Sequence, residues 1–172
     1  MQHMKRAVWI LGVMIVVTIF DQLTKVLAIE HLKGYPPVVF WGNLFRFEYA
    51  ENPGAFLSLG ATLSPEMRLW TLSIAVAVFL LFLFIYVIRT RSLGRVQTWA
   101  LAFVLGGGVS NLIDRFFRPS GRVIDFMNTG IGELRTGVFN VADMLIMAGI
   151  GVFMVLNMRA GSENTAATKK RN

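Results

Sequence analysis

Cysteine is absent from this chain of 172 residues, so it has no disulfide, no thiol nucleophile and no thiolate metal site. Histidine is almost absent: His3 and His31 are the only imidazoles, which argues against zinc-based as well as cysteine-based hydrolysis. Charge is also scarce. Only 16% of the residues are charged, against 55% hydrophobic, and mean hydropathy is +0.58, so few polar side chains are available to cover a water-soluble surface. A membrane protein is the expectation. No internal repeat is evident, which weighs against transporters built from inverted repeats.

The charge that is present is basic, with a formal net charge of +7 and a pI near 10.4. Such a balance can signal nucleic acid, but the Lys and Arg residues sit in short clusters at the ends of apolar runs, a pattern of membrane orientation. No nucleic-acid partner is expected. Four stretches, about 7–29, 69–88, 98–113 and 138–158, are apolar enough to cross a bilayer, which takes roughly 20 residues. The first is read as a retained helix, because no small-x-small cleavage site follows it and Asp21 and Lys25 interrupt its far end.

An even number of spans puts both termini on one side. That side receives nine of the 17 basic residues, in short segments around Lys5, Arg6, Arg89, Arg91, Arg95 and Arg159 and in the tail. The other side holds nine of the ten acids, spread with the remaining bases over longer loops at about 30–68 and 114–137. The denser basic side marks the cytoplasm, so cytoplasmic termini are expected. Phe45, Phe47 and Tyr49 alternate with Arg46 and Glu48, which predicts short strands at the membrane surface. Ser64 followed by Pro65 and Glu66 predicts a capped start for the second helix. The expected organisation is all-α and polytopic: one four-helix membrane domain over residues 1–159, then a disordered cytoplasmic tail over 160–172.

The polar residues gather at one depth. On the first helix Thr18, Asp21, Gln22 and Lys25 follow an i, i+3, i+4, i+7 stripe, with the acid placed ahead of the base at i+4. The stripe reads equally as a self-neutralising interfacial pair or as support for a site. On the third, GGGVSNLIDR brings Asn111, Asp114 and Arg115 within one turn of each other beyond Gly106, Gly107 and Gly108, which permit close backbone approach. Helix packing alone would explain the glycines. On the fourth, FNVAD sets Asn140 and Asp143 one turn apart, and an acid there needs a partner. A salt bridge to Arg115 is one candidate, and a functional role is the other. Asp125 lies in GRVIDF, and Asn52-Pro53-Gly54 suits a tight turn presenting an amide.

In this order DQLTK, ENPGAF, GGGVSNLIDR, GRVIDF and FNVAD resemble the lipoprotein signal peptidase (signal peptidase II) family. Two departures stand out: Ala55 is followed at once by Phe56 where the family often has a second alanine, and Ser110 stands where glycine is frequent. The resemblance implies four transmembrane helices, cytoplasmic termini, a small extracytoplasmic β-rich cradle and a catalytic pair at Asp125 and Asp143. Asp21, Lys25, Asn52, Gly54, Asn111, Arg115 and Asn140 would support that pair. Apart from the resemblance, Asp114, adjacent to Arg115, is assigned to a structural ion pair. It further implies an aspartic endopeptidase of the bacterial inner membrane, with its active site at the outer face. The implied substrate is a lipid-modified prolipoprotein, cut before a diacylglyceryl-modified cysteine.

Two close carboxyls cannot both ionise cheaply, so one would activate water while the other, protonated, polarises the scissile carbonyl. This chemistry needs no metal and no cofactor. Membrane lipid is the other expected partner, and a monomer is expected. A proton-coupled transporter would need ionisable groups reachable from both faces, whereas here they gather near one; a scaffold would need no acids at Asp125 and Asp143 at all.

Overall fold

The computed structural model describes residues 2–53 and 64–171. Within them four helices and four short strands follow one another as α1 (Gln2–Leu32), β1 (Val38–Phe40), β2 (Phe45–Asn52), α2 (Pro65–Arg89), α3 (Arg95–Phe117), β3 (Val123–Ile131), β4 (Leu134–Arg135) and α4 (Val141–Arg171). Among the described residues three helices are long and apolar enough to cross a membrane, His3–Leu32, Arg95–Phe117 and Val141–Arg159, while Ser73–Arg89 is a shorter apolar helix. Helix α2 begins where its sequence predicts: the Ser64 hydroxyl accepts the Met67 N–H at 3.2 Å, and proline occupies the first turn, where a missing N–H does no harm.

Helix α3 is the centre of the bundle. Its apolar stretch is 61% buried, against 17% for α1 and 11% for α4, whose outward faces present Val8, Ile15, Val16, Ile19, Met147 and Val155 to the surroundings. The glycine run explains how three helices close on one. Consecutive helical residues point about 100° apart, so three in a row face three directions. A Cβ on Gly106 would stand 2.8 Å from Val17 Cβ on α1, one on Gly107 would stand 2.7 Å from the Ala142 carbonyl oxygen of α4, and one on Gly108 would stand 2.7 Å from the Leu80 side chain of α2. Removing the side chain three times therefore serves three separate interfaces.

The strands form one antiparallel sheet in the order β1-β2-β3-β4. The alternation of Phe45, Phe47 and Tyr49 is indeed that of a strand, and the ring of Phe47 stacks on Phe126 of β3 at 6.4 Å. In the β2–β3 register Ala50 faces Asp125 and Asn52 faces Val123, with an irregularity between Phe47 and Ala50. Strand β3 is buried from Val123 to Met127 because Phe126 and Met127 pack with Ala28 of α1 and Val141 of α4. The sheet is thus wedged against the same end of the bundle that carries the buried acids.

Helix α4 runs on past its apolar part to Arg171. Ala160, Glu163, Ala166, Ala167, Lys169 and Lys170 all have high helix propensity, so a helix begun by apolar residues propagates through them without an apolar face of their own.

Candidate active site

The stripe on α1 faces α3. Thr18 donates to the Gly106 carbonyl at 3.2 Å, and Gln22 donates to the Ser110 carbonyl, the Ser110 hydroxyl and Asp114 Oδ1 at 3.1, 3.1 and 3.0 Å. Lys25 is fully buried, its Nζ 2.8 Å from Asp21 Oδ2, 2.7 Å from Asp114 Oδ2 and 2.9 Å from Asn111 Oδ1. Asp21 and Asp114 are themselves fully buried. Three fully buried charges hold together only because each carboxylate oxygen and each ammonium proton finds a partner. Asp21 also accepts the Ser110 hydroxyl and the Ala142 N–H, both at 2.7 Å, while Asp114 also accepts Arg118 Nε at 2.7 Å and the Ile124 N–H at 3.2 Å. With Arg118 counted, two acids meet two bases. One ion cluster therefore ties α1, α3, β3 and the first turn of α4.

Asp114 is in a structural ion pair, but its cationic partners are Lys25 and Arg118, not the adjacent Arg115. Neighbours in sequence on a helix point about 100° apart, so Arg118, at i+4, is the residue that returns to the same face. Arg115 makes no salt bridge to Asp143 either. It is half-buried and close enough to Asp143, Asp125 and Asp114 to feel all three charges.

Beyond the ion cluster lies a chain of amides. Asn111 receives Lys25 on Oδ1 and donates through Nδ2 to Asp143 Oδ1 at 2.9 Å. Asn140 donates through Nδ2 to Asp125 Oδ1 at 2.6 Å, to Asn111 Oδ1 at 3.1 Å and to the Ile124 carbonyl at 3.3 Å. Asn140 does not sit inside the helix, as the one-turn spacing suggested. It caps it: Asn140 Oδ1 accepts the Asp143 N–H at 2.9 Å while Asp143 Oδ2 accepts the Asn140 N–H at 3.1 Å, the reciprocal arrangement of a capping box. The same spacing of three residues that suggests one helical face is the spacing of a cap to its third helical residue.

Asp125 reaches this chain from the sheet. Its Oδ1 accepts Asn140 and its Oδ2 accepts Asn52 Nδ2 at 3.0 Å, so the strand pairing of β2 with β3 brings Asn52 to the acid. Burial lifts the Asp125 carboxyl from the usual carboxylate range to about 6; the Asn52 and Asn140 hydrogen bonds oppose that rise and the Asp143 charge adds to it. Asp125 is 1% exposed whereas Asp143 is partly open.

Asp21, Lys25, Asn52, Asn111, Asn140, Asp125 and Asp143 thus belong to one connected network, with Arg115 beside it. Gly54 lies outside the described residues. Sequence reasoning passed over Ser110 as a donor and Arg118 as a partner. The i+4 spacing from Asp114 was the available signal for Arg118, and the depth shared with Asp21 was the one for Ser110.

Fold and site together define a helical membrane protein with a buried acid–amide network at one end of its bundle, two of whose carboxyls meet across one asparagine. Residues 13–159 match the profile of the family described as signal peptidase (SPase) II. The chain belongs to the signal peptidase II family. It is 32% identical over 156 residues to a lipoprotein signal peptidase of Borrelia turicatae (strain 91E135), covering 87% of this chain and 89% of the relative. A lipoprotein signal peptidase of Treponema denticola is 34% identical, with 82% and 85% covered, and one of Halalkalibacterium halodurans is 29% identical, with 93% and 96% covered. A solved structure described as a bacterial membrane enzyme at 2.3 Å superposes with a TM-score of 0.70 at 23% identity, covering 90% of each chain, which supports the fold.

Proposed function

We propose that this protein is an aspartic endopeptidase that removes the signal peptide from prolipoproteins, cutting before a diacylglyceryl-modified cysteine. Asp125 and Asp143 are the catalytic pair. The observation that carries this reading is Asn140, which bonds to both carboxyls at once and so fixes two acids from separate elements, one on a strand and one on a helix, against each other.

Asp125 holds the proton that the two acids share, because it is the deeper of the pair and burial disfavours its anion. Asp143 is the base that takes a proton from water as the water attacks the scissile carbonyl. Asp125 polarises that carbonyl and then gives its proton to the departing amine. Arg115, close enough to both acids to feel their charge, contacts a substrate carbonyl. Asp21 and Lys25 act at a distance by holding α1 and the start of α4 in place.

Helix α2, 25 residues from Pro65 to Arg89, is the fourth span, so both termini are cytoplasmic and the aspartates lie at the outer face of the bacterial inner membrane. A substrate's apolar segment stays in lipid there while its peptide bond meets water.

The test is cleavage of a diacylglyceryl-modified prolipoprotein, followed by gel shift, with wild type, Asp125→Asn and Asp143→Asn proteins shown to be folded. Loss of cleavage in both variants is expected. Full cleavage by either one removes it from the catalytic pair.

A further inference from the structure

The end of the bundle opposite the aspartates carries a cavity. Arg6 lies 15 residues before Asp21 on α1, about 22 Å along the helix at 1.5 Å per residue. A cavity of about 350 Å³ opens there between α1 and α3, lined by Arg6, Trp9, Leu93, Arg95, Thr98 and Trp99. Arg6 is anchored through NH1 to the Thr90 carbonyl at 2.8 Å and through NH2 to the Thr98 hydroxyl at 2.7 Å. Both partners are neutral, and its Nε is buried without a hydrogen-bond partner. Arg95 is exposed. Among the described residues none of the ion pairs involves Arg6, Arg89, Arg91 or Arg95. The positive charge at this end is uncompensated by the described acids.

A second cavity, of about 440 Å³, continues from the first along the α1–α3 seam. The two share Trp9 and Trp99, whose rings meet edge to face at 4.3 Å. Its walls are apolar, formed by Val13, Val16, Val17 and Phe103 beside Gly12, and a Cβ on Gly12 would meet nothing within 4 Å. A cationic chamber thus opens into an apolar groove that runs toward the middle of the bundle.

We propose that this pair of cavities binds one anionic phospholipid, its phosphate on Arg6 and Arg95 and one acyl chain along the groove past Gly12. Two features select this occupant over an apolar peptide. The chamber offers two guanidinium groups with no described acid to satisfy them, and the apolar walls begin at the two tryptophans that it shares with the groove. Basic pockets between membrane helices hold phospholipid headgroups on these terms, and tryptophan favours the same interfacial depth. The site is separate from the aspartates and does not depend on their role.

Trp9 and Trp99 report on it directly. With Trp41→Phe and Trp70→Phe they are the only tryptophans left, since the chain has four. This protein, reconstituted in unlabelled phosphatidylcholine bilayers, is titrated with phosphatidylglycerol or phosphatidylcholine brominated on the acyl chain, and fluorescence quenching gives their relative association constants. A preference for the anionic lipid is expected, falling about fivefold in Arg95→Gln and restored in Arg95→Lys. Gly12→Leu, which fills open space, should weaken site-specific quenching by the anionic lipid while leaving the melting temperature unchanged. Equal constants for the two lipids overturn the proposal, as does an anionic preference that persists unchanged in Arg95→Gln and Gly12→Leu. Relief of quenching by millimolar inorganic phosphate would identify a free-phosphate site and overturn the lipid assignment.

Discussion

Asn140 performs a structural and a positioning task with one amide. Its oxygen caps α4 by accepting the Asp143 N–H, and its nitrogen donates to Asp125, Asn111 and the Ile124 carbonyl. Serine is as good a cap as asparagine, and its backbone N–H would still reach Asp143, but it has no second polar atom to hold Asp125 and Asn111. Asn140→Ser should therefore keep a melting temperature within a few degrees of wild type while turnover falls at least about a hundredfold, since an unheld acid loses its working geometry; equal losses of both would make Asn140 only a cap. Asp125 makes a complementary case. Its carboxyl, raised by burial to about 6, binds a proton more readily in the folded than in the unfolded protein. Its contribution to stability is therefore full below the ordinary carboxylate pKa and is lost as pH rises through about 6. Asp125→Asn removes the buried anion at nearly constant side-chain size. The variant should melt above wild type at pH 8, with the gap closing toward pH 4, although it no longer cleaves. A melting temperature lower than wild type at pH 8 would show that the anion is stabilising there.

Helix α3 organises the elements around it through Gly106, Gly107 and Gly108, and the middle one bears on the site. Gly107 lies against the Ala142 carbonyl, between Asn140 and Asp143, so a methyl group there must push the first turn of α4 away from α3. The displacement would carry Asp143 from Asn111 and the Ala142 N–H from Asp21. Gly107→Ala is expected to cost about 1–3 kcal/mol, as overpacking does, and to lower turnover as well. Gly151→Ala lies on the same helix as Asp143, but its Cβ would meet nothing within 4 Å, so melting temperature and turnover should both stay near wild type. Thermal melts and cleavage rates on the pair decide whether close approach, rather than glycine content, is what matters. From the sequence, the run reads as packing. That it divides among three helices depends on α3 being central, which composition does not reveal.

At the scale of the molecule, the apolar runs announce all four helices and the alternating aromatics announce β2, because both signals are local and periodic. The acids at one depth announce the buried polar network. What local signals do not carry is pairing. Lys25 is shared between Asp21 on its own helix and Asp114 on α3, while Ser110 of α3 donates back to Asp21, and such a choice of partners is made only when the helices dock. Charge asymmetry predicts an orientation for the whole bundle, and the absence of cysteine makes that prediction testable without background. Ser92 lies between α2 and α3, and Glu133 lies in the turn between β3 and β4, at the two ends of the bundle. In intact spheroplasts a membrane-impermeant maleimide should label Glu133→Cys at once and Ser92→Cys only after permeabilisation. The reverse pattern would put the aspartates on the cytoplasmic side, where a substrate awaiting export would meet them before its signal peptide had done its work.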